Sequence, residues 1–311
     1  MRIRVVLTLG ALGLGVPWPL GAFDHDGVDG VTAVSSKVSA DYVRSKLPDG
    51  SFQPETYAFG AGGYWSGEIK DHTIDGLTFL NVAQAIARPL ASRNFLPARD
   101  PAKTNLLIMV YWGTTQVPEP YSDSTAYAQF QQVNTTGAPK VDLGSKGFHG
   151  LSSGNSHNST VDPTKWSAAA IMLTMVNRQR DLIDFNNAKM IGYDAAGMIG
   201  TSEGSYYRGT ALGIDRQDVV DEIEENRYFV VLLAYDFGLL LKEKKHKLVW
   251  ETRFSINERR NAFDKALPVM AQNAAVYFGR ATNGLMRKRI YDGQVDIEPP
   301  SLIEFLPSPK N

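Results

Sequence analysis

The chain has no cysteine in its 311 residues. That absence excludes disulfide staples, thiol catalysis, iron–sulfur clusters and thiolate zinc sites. It also excludes a lipoprotein anchor, whose lipid is carried on a cysteine. An excess of either charge is missing too: 32 lysines and arginines face 33 aspartates and glutamates, for a formal net charge of -1. With no global field to draw a polyanion, neither nucleic acid nor an anionic membrane surface is an expected partner. Nor does any segment beyond the start run to the roughly eighteen uncharged apolar residues that a membrane-crossing helix needs.

What is present begins at the N-terminus. Arg2 and Arg4 precede an uncharged apolar run from Val5 to Val16, then Pro17-Trp18-Pro19 and Leu20-Gly21-Ala22. A basic start, a short apolar stretch and small residues ahead of a cut are the marks of a Sec-type signal peptide. Residues 1–22 are read as that peptide, with cleavage between Ala22 and Phe23. Removing it takes away Arg2 and Arg4 and moves the net charge from -1 to -3. The expected localisation is periplasmic or secreted.

Residues 23–55 read as a loosely ordered leader, opening on Asp24, His25, Asp26 and Asp29. Residues 56–291 read as one α/β or α+β domain: a mixed sheet of about four or five strands, helices packed on one face, and a large irregular insertion at 115–213. Thr56–Phe59 is a short strand candidate and Gly60, Gly62 and Gly63 a turn after it. Asp75 is the expected N-cap of a helix over 75–94, in which Leu77, Leu80, Ala83, Ala87 and Leu90 recur at helical spacing. The run Asn105–Trp112 is continuously apolar, as a strand covered on both faces must be. Within the insertion, Asp162-Pro163 starts a helix whose Ala169, Leu173 and Val176 face the core. An acidic helix over Asp215–Asn226 follows, then one long strand from Tyr228 to Leu241, a return strand over His246–Ile256, and a final helix through Phe263, Leu267 and Met270. Residues 292–311, with four prolines, read as an extended tail.

The strand at Thr56-Tyr57-Ala58-Phe59, the helix and apolar strand after it, and the hairpin with a basic turn and Leu248-Val249-Trp250-Glu251 together resemble the DUF4136-type bacterial envelope proteins. The likeness covers roughly 56–114 and 227–280. It implies a small α/β fold and an envelope location, and it assigns no catalytic residue. Members are commonly lipoproteins, from which this chain departs in having no cysteine, and 115–226 has no counterpart.

Motifs that spell chemistry lack the context that chemistry needs. Gly150-Leu151-Ser152-Ser153-Gly154 matches the hydrolase G-x-S-x-G pattern, but a nucleophile elbow requires a buried strand before it and a helix after it. Here Gly144–Gly147 precede and Gly154–Asn158 follow. His149 and His157 flank the same loop without a paired carboxylate, and the Asp24–Asp29 cluster lacks the acceptor spacing of a calcium loop. Asp236-Phe237-Gly238 sits inside an expected strand without the other kinase elements. No cofactor or metal is expected. Tyr57, Phe59, Tyr64, Trp65, Tyr111 and Trp112 either pack in the core or line a sheet edge able to stack on a sugar.

The function expected from these features is that of an exported envelope protein, non-enzymatic, acting through protein or surface contacts with other envelope proteins as partners. The competing expectation is a secreted hydrolase or small-ligand (sugar-like) binding protein with its site in the 115–213 loops, where Ser152, His149 and His157 are the first suspects.

Overall fold

A computed structural model of the chain describes residues 28, 30–66, 70–119, 123–135, 163–193, 219–282 and 284–290. Its strands are β1 (Gly30–Val38), β2 (Glu55–Trp65), β3 (Phe95–Pro97), β4 (Leu106–Thr114), β5 (Arg227–Asp236), β6 (Leu248–Asn257) and β7 (Met286–Ile290). The helices are α1 (His72–Asp75), α2 (Phe79–Ala91), α3 (Thr125–Thr135), α4 (Pro163–Ile191), α5 (219–224), α6 (Phe237–Glu243) and α7 (Phe263–Ala274). All strands join one seven-stranded sheet in the order β3-β2-β4-β5-β6-β1-β7. β2 runs parallel to β3 and β4, and every other pairing is antiparallel. The α+β class and the mixed sheet are as expected; the strand count is higher.

The extra strands have compositions that hide them. β1 (GVTAVSSKV) is small and polar, yet it lies between β6 and β7 with Ala33 and Val34 fully buried. Gly30–Val38, within the segment 23–55 expected to be a loosely ordered leader, is therefore an interior strand of the sheet. β3 is three residues long, and β7 (MRKRI) is basic, as suits an edge that must resist pairing with other chains.

β4 and β5 hold the centre because both are apolar on both faces. On one face Ile108, Val110, Val230, Leu232, Trp250 and Phe254 pack beneath α2 and α7 in the larger core. Each such side chain, fully buried, stabilises the fold by about 1.5–3 kcal/mol. The other face, expected to be bare of helices, carries a smaller core: Phe229 and Val231 lie against Ala188 and Ile191 of α4 and Ile223 of α5.

Local chemistry sets the boundaries. Thr78 caps α2 in a reciprocal box with Asn81, while Asp71 caps α1, which ends at Asp75 before Gly76. The single helix expected over 75–94 is thus two, and Pro89 sits in the last full turn of the second. The expected strand to Leu241 stops at Asp236, whose side chain accepts from the Leu239 amide at 2.9 Å and starts α6. The glycines after Phe59 form no turn; they belong to β2, which bulges between Ala61 and Gly63. Beside it, a Cβ on Gly113 would stand 2.2 Å from the Trp65 carbonyl oxygen, so β2 and β4 can meet there only at glycine.

The 115–213 stretch, expected to be irregular, contains α3 and the 29-residue α4. α4 begins at Pro163 as the Asp-Pro start predicts and is about 43 Å long. It packs along α3 and reaches the sheet through its C-terminal turns, where the Arg253 guanidinium donates to the Lys189 carbonyl at 2.8 Å. Gly192 ends it at φ 94°, and a Cβ there would lie 2.4 Å from Ser35, so only glycine lets the chain pass β1.

Candidate functional site

A group of paired charges gathers at the head of β5. α5 runs directly into that strand, which places Glu222 and Glu225 beside Arg227. The Arg227 guanidinium pairs with Glu222 at 3.2 Å and Glu225 at 3.6 Å, and the residue is only 3% exposed. Its Nε donates to Ser255 Oγ at 3.2 Å, and Nη2 donates to the Val31 carbonyl at 3.4 Å. Glu222 also accepts from Arg287 of β7 at 2.9 Å and from the Tyr193 hydroxyl, while Asn257 donates to Glu225 at 2.7 Å. Glu222, Glu225, Arg227, Asn257 and Arg287, with Val31 and Asp221, line an open depression of about 340 Å³.

The chemistry of this cluster is that of a clasp. Burial pushes the Arg227 guanidinium down, and Glu222 and Glu225 oppose the shift. Burial, then the hydrogen bond to Glu222, pushes the Tyr193 phenol up, so it stays protonated. Each of the three groups central to the cluster (Glu222, Arg227, Arg287) already has an ionic partner of its own. The clasp ties β1, α5, β5, β6 and β7 together.

A second polar group sits at the start of α1. Asp71 accepts from the Thr73 amide at 2.8 Å and from the Tyr228 hydroxyl, and the Tyr64 hydroxyl donates to Asp75. Burial alone would raise the Asp71 carboxyl, but the Tyr228 hydroxyl and Thr73 outweigh it and hold it low. Thr73 Oγ1 in turn accepts from the Phe263 amide at 2.9 Å, so this cap fastens α1 to α7.

The sequence suspects fall elsewhere. Ser152, His149 and His157 lie outside the described residues, as do Ala22, Phe23 and the Asp24–Asp29 cluster. Asp236-Phe237-Gly238 is a helix start. Of the aromatics, Tyr57 and Trp112 are core residues, and Tyr64 stacks on Trp112 at 5.9 Å between centroids. Tyr111 points to the opposite face, beside the smaller core, so the six form no single ligand platform. Among the described residues no three histidine, aspartate or glutamate side chains converge as a metal site, and no helix is long and apolar enough to cross a membrane.

Two features escaped the sequence. Arg227 was legible only as a cation heading an apolar strand two and five residues after glutamates. The other is a surface of α4. Ile171, Met175, Leu182 and Phe185 are 56%, 66%, 57% and 43% exposed. With Arg178 they recur at four- and three-residue steps, which places them on one side of the helix. Ala169, Leu173, Ala188 and Ile191, on the opposite side, are buried. α4 is therefore apolar on two opposite faces, and of these the other described residues cover one.

No family model matches the chain, and no curated protein matches it. Among solved structures, a PDZ domain protein from Parabacteroides distasonis is similar over 83% of this chain, with 12% sequence identity and a TM-score of 0.36. The chain spans 38% of that protein's length. A likeness at that level carries no argument about function.

Proposed function

We propose that this chain is an exported, non-enzymatic envelope protein that works by contact with a protein surface, and that α4 makes the contact. The observation that carries the reading is the uncovered apolar stripe Ile171–Phe185 on a helix whose other side is already buried. Contiguous apolar surface of this kind on a folded protein marks an interaction site. The N-terminal pattern and the resemblance to DUF4136-type envelope proteins support the compartment. The fully partnered charges of the Arg227 clasp support a role without catalysis.

The test is photo-crosslinking in the native envelope fraction. A crosslinking residue replaces Leu182 in one variant and Val43, 85% exposed on the body of the molecule, in another. Protein adducts are expected from position 182 and not from position 43, on a chain whose N-terminus is Phe23. Adducts from neither position, or a chain retained in the cytoplasm with Met1 intact, would overturn the proposal.

A further inference from the structure

Resting on that reading, we infer that the surface covering the α4 stripe is the same stripe of a second copy, lying antiparallel across it. The argument starts from the spacing. Positions 171, 175, 178, 182 and 185 follow the alternating four–three rhythm of a helix–helix seam, in which a partner helix supplies knobs to the same set of holes. The seam is self-complementary in one direction only. Arg178 sits at its middle, is exposed, and has no ion pair among the described residues. Parallel pairing would set Arg178 against Arg178, a like-charge contact that costs free energy in a partly desolvated seam. Antiparallel pairing centred at position 180 instead sets Arg178 of each copy opposite Leu182 and beside Asp181 of the other.

The same operation brings Met175 against Phe185, a thioether-on-aromatic contact. Ile171 falls opposite the exposed Lys189. Asp181 belongs in such a pairing on its own chemistry: burial raises its carboxyl, and Arg180 only partly opposes that. The area is sufficient. The stripe offers on the order of 500 Å² of apolar surface per copy, near the upper end of patches left open on monomers. Two copies face to face bury roughly 1,000 Å², the threshold of a specific interface. A two-fold pairing of identical patches also closes on itself, leaving no open surface to propagate a fibre.

Sedimentation velocity on the purified mature chain, from about 1 to 100 µM, reads the mass directly. A dimer is expected in that range, and Met175→Glu, at an exposed position, is expected to weaken it tenfold or more with an unchanged circular dichroism spectrum. Arg178→Glu is expected to weaken it likewise, and the double variant Arg178→Glu/Asp181→Arg to restore it. Because the chain has no cysteine, direction can be read from disulfides. Ile171→Cys mixed with Lys189→Cys should cross-link on mild oxidation, and Ile171→Cys alone should not. A wild-type monomer throughout the range overturns the second copy as occupant, while the contact reading stands or falls separately on adducts at position 182. A dimer indifferent to Met175→Glu overturns its placement on α4, and self-linking of Ile171→Cys overturns the antiparallel direction.

Discussion

A guanidinium that is 3% exposed remains in a fold only while its partners remain with it. Arg227 has two carboxylates, a serine hydroxyl and two carbonyls around it. Arg227→Ala leaves Glu222 with one cation fewer and opens a void under β1, and breaking a buried pair from one side costs about 3–5 kcal/mol. Urea unfolding is expected to show that loss; a change below about 1 kcal/mol would mean the clasp holds nothing. Asp41, by contrast, is exposed, yet its carboxyl is held down to about 2 by the hydrogen bond from Lys247 and then by that from Ser39. Its folded value lies below the ordinary 3.8, so the pair contributes stability that is complete above that value and lost as the pH falls through about 2. An NMR titration should place the Asp41 midpoint near 2 and move it toward 3.8 in Lys247→Ala. Equal midpoints in the two proteins would remove the pairing.

Among elements, β1 and α4 depart furthest from their sequences' appearance. β1 reads as a polar leader because Thr32, Ser35 and Ser36 interrupt its apolar residues, but all three are buried and two are bonded across the core. Ser36 Oγ meets Thr252 Oγ1 at 2.8 Å and Asn273 donates to Thr32 at 3.1 Å. Hydroxyls satisfied in this way cost little to bury. A chain starting at residue 56 therefore loses an interior strand and exposes the edge of β6; it is expected to be insoluble or unfolded by circular dichroism, whereas one starting at Phe23 folds. A folded truncation would show that β1 is dispensable. In α2, Ile86 is wholly buried in the larger core, and Ile86→Ala is expected to cost about 2–5 kcal/mol in the same urea assay. α4 was legible at its start, from Asp162-Pro163, and in its buried residues Ala169 and Leu173. Its second apolar face was not, because a helix carrying apolar residues on opposite sides shows no single stripe to a periodicity reading.

For the whole molecule, stability is concentrated at the middle of the sheet. β4 and β5 lie between other strands and between two cores, so their amides should exchange with solvent only on global unfolding, while β3 and β7, at the edges, exchange through local opening. Hydrogen-exchange protection that was uniform across the seven strands would contradict that gradient. The two cores differ in size, with α2 and α7 over the larger and the ends of α4 and α5 over the smaller. That inequality leaves most of α4 off the sheet.

The sequence by itself determined the mixed α/β character, the central strand after Asn105, the β5–β6 hairpin, the start of α4 and the final helix. These follow from local composition: continuous apolar runs, a proline after an N-cap, apolar residues at helical spacing. Only the tertiary structure decided that β1 is interior, that β5 stops at Asp236, that Glu222 and Glu225 serve a buried arginine, and that the other described residues leave one face of α4 uncovered. Each of those depends on a partner distant in the chain, such as Thr252 for Ser36 or Ser255 for Arg227, and no local pattern carries the identity of a distant partner.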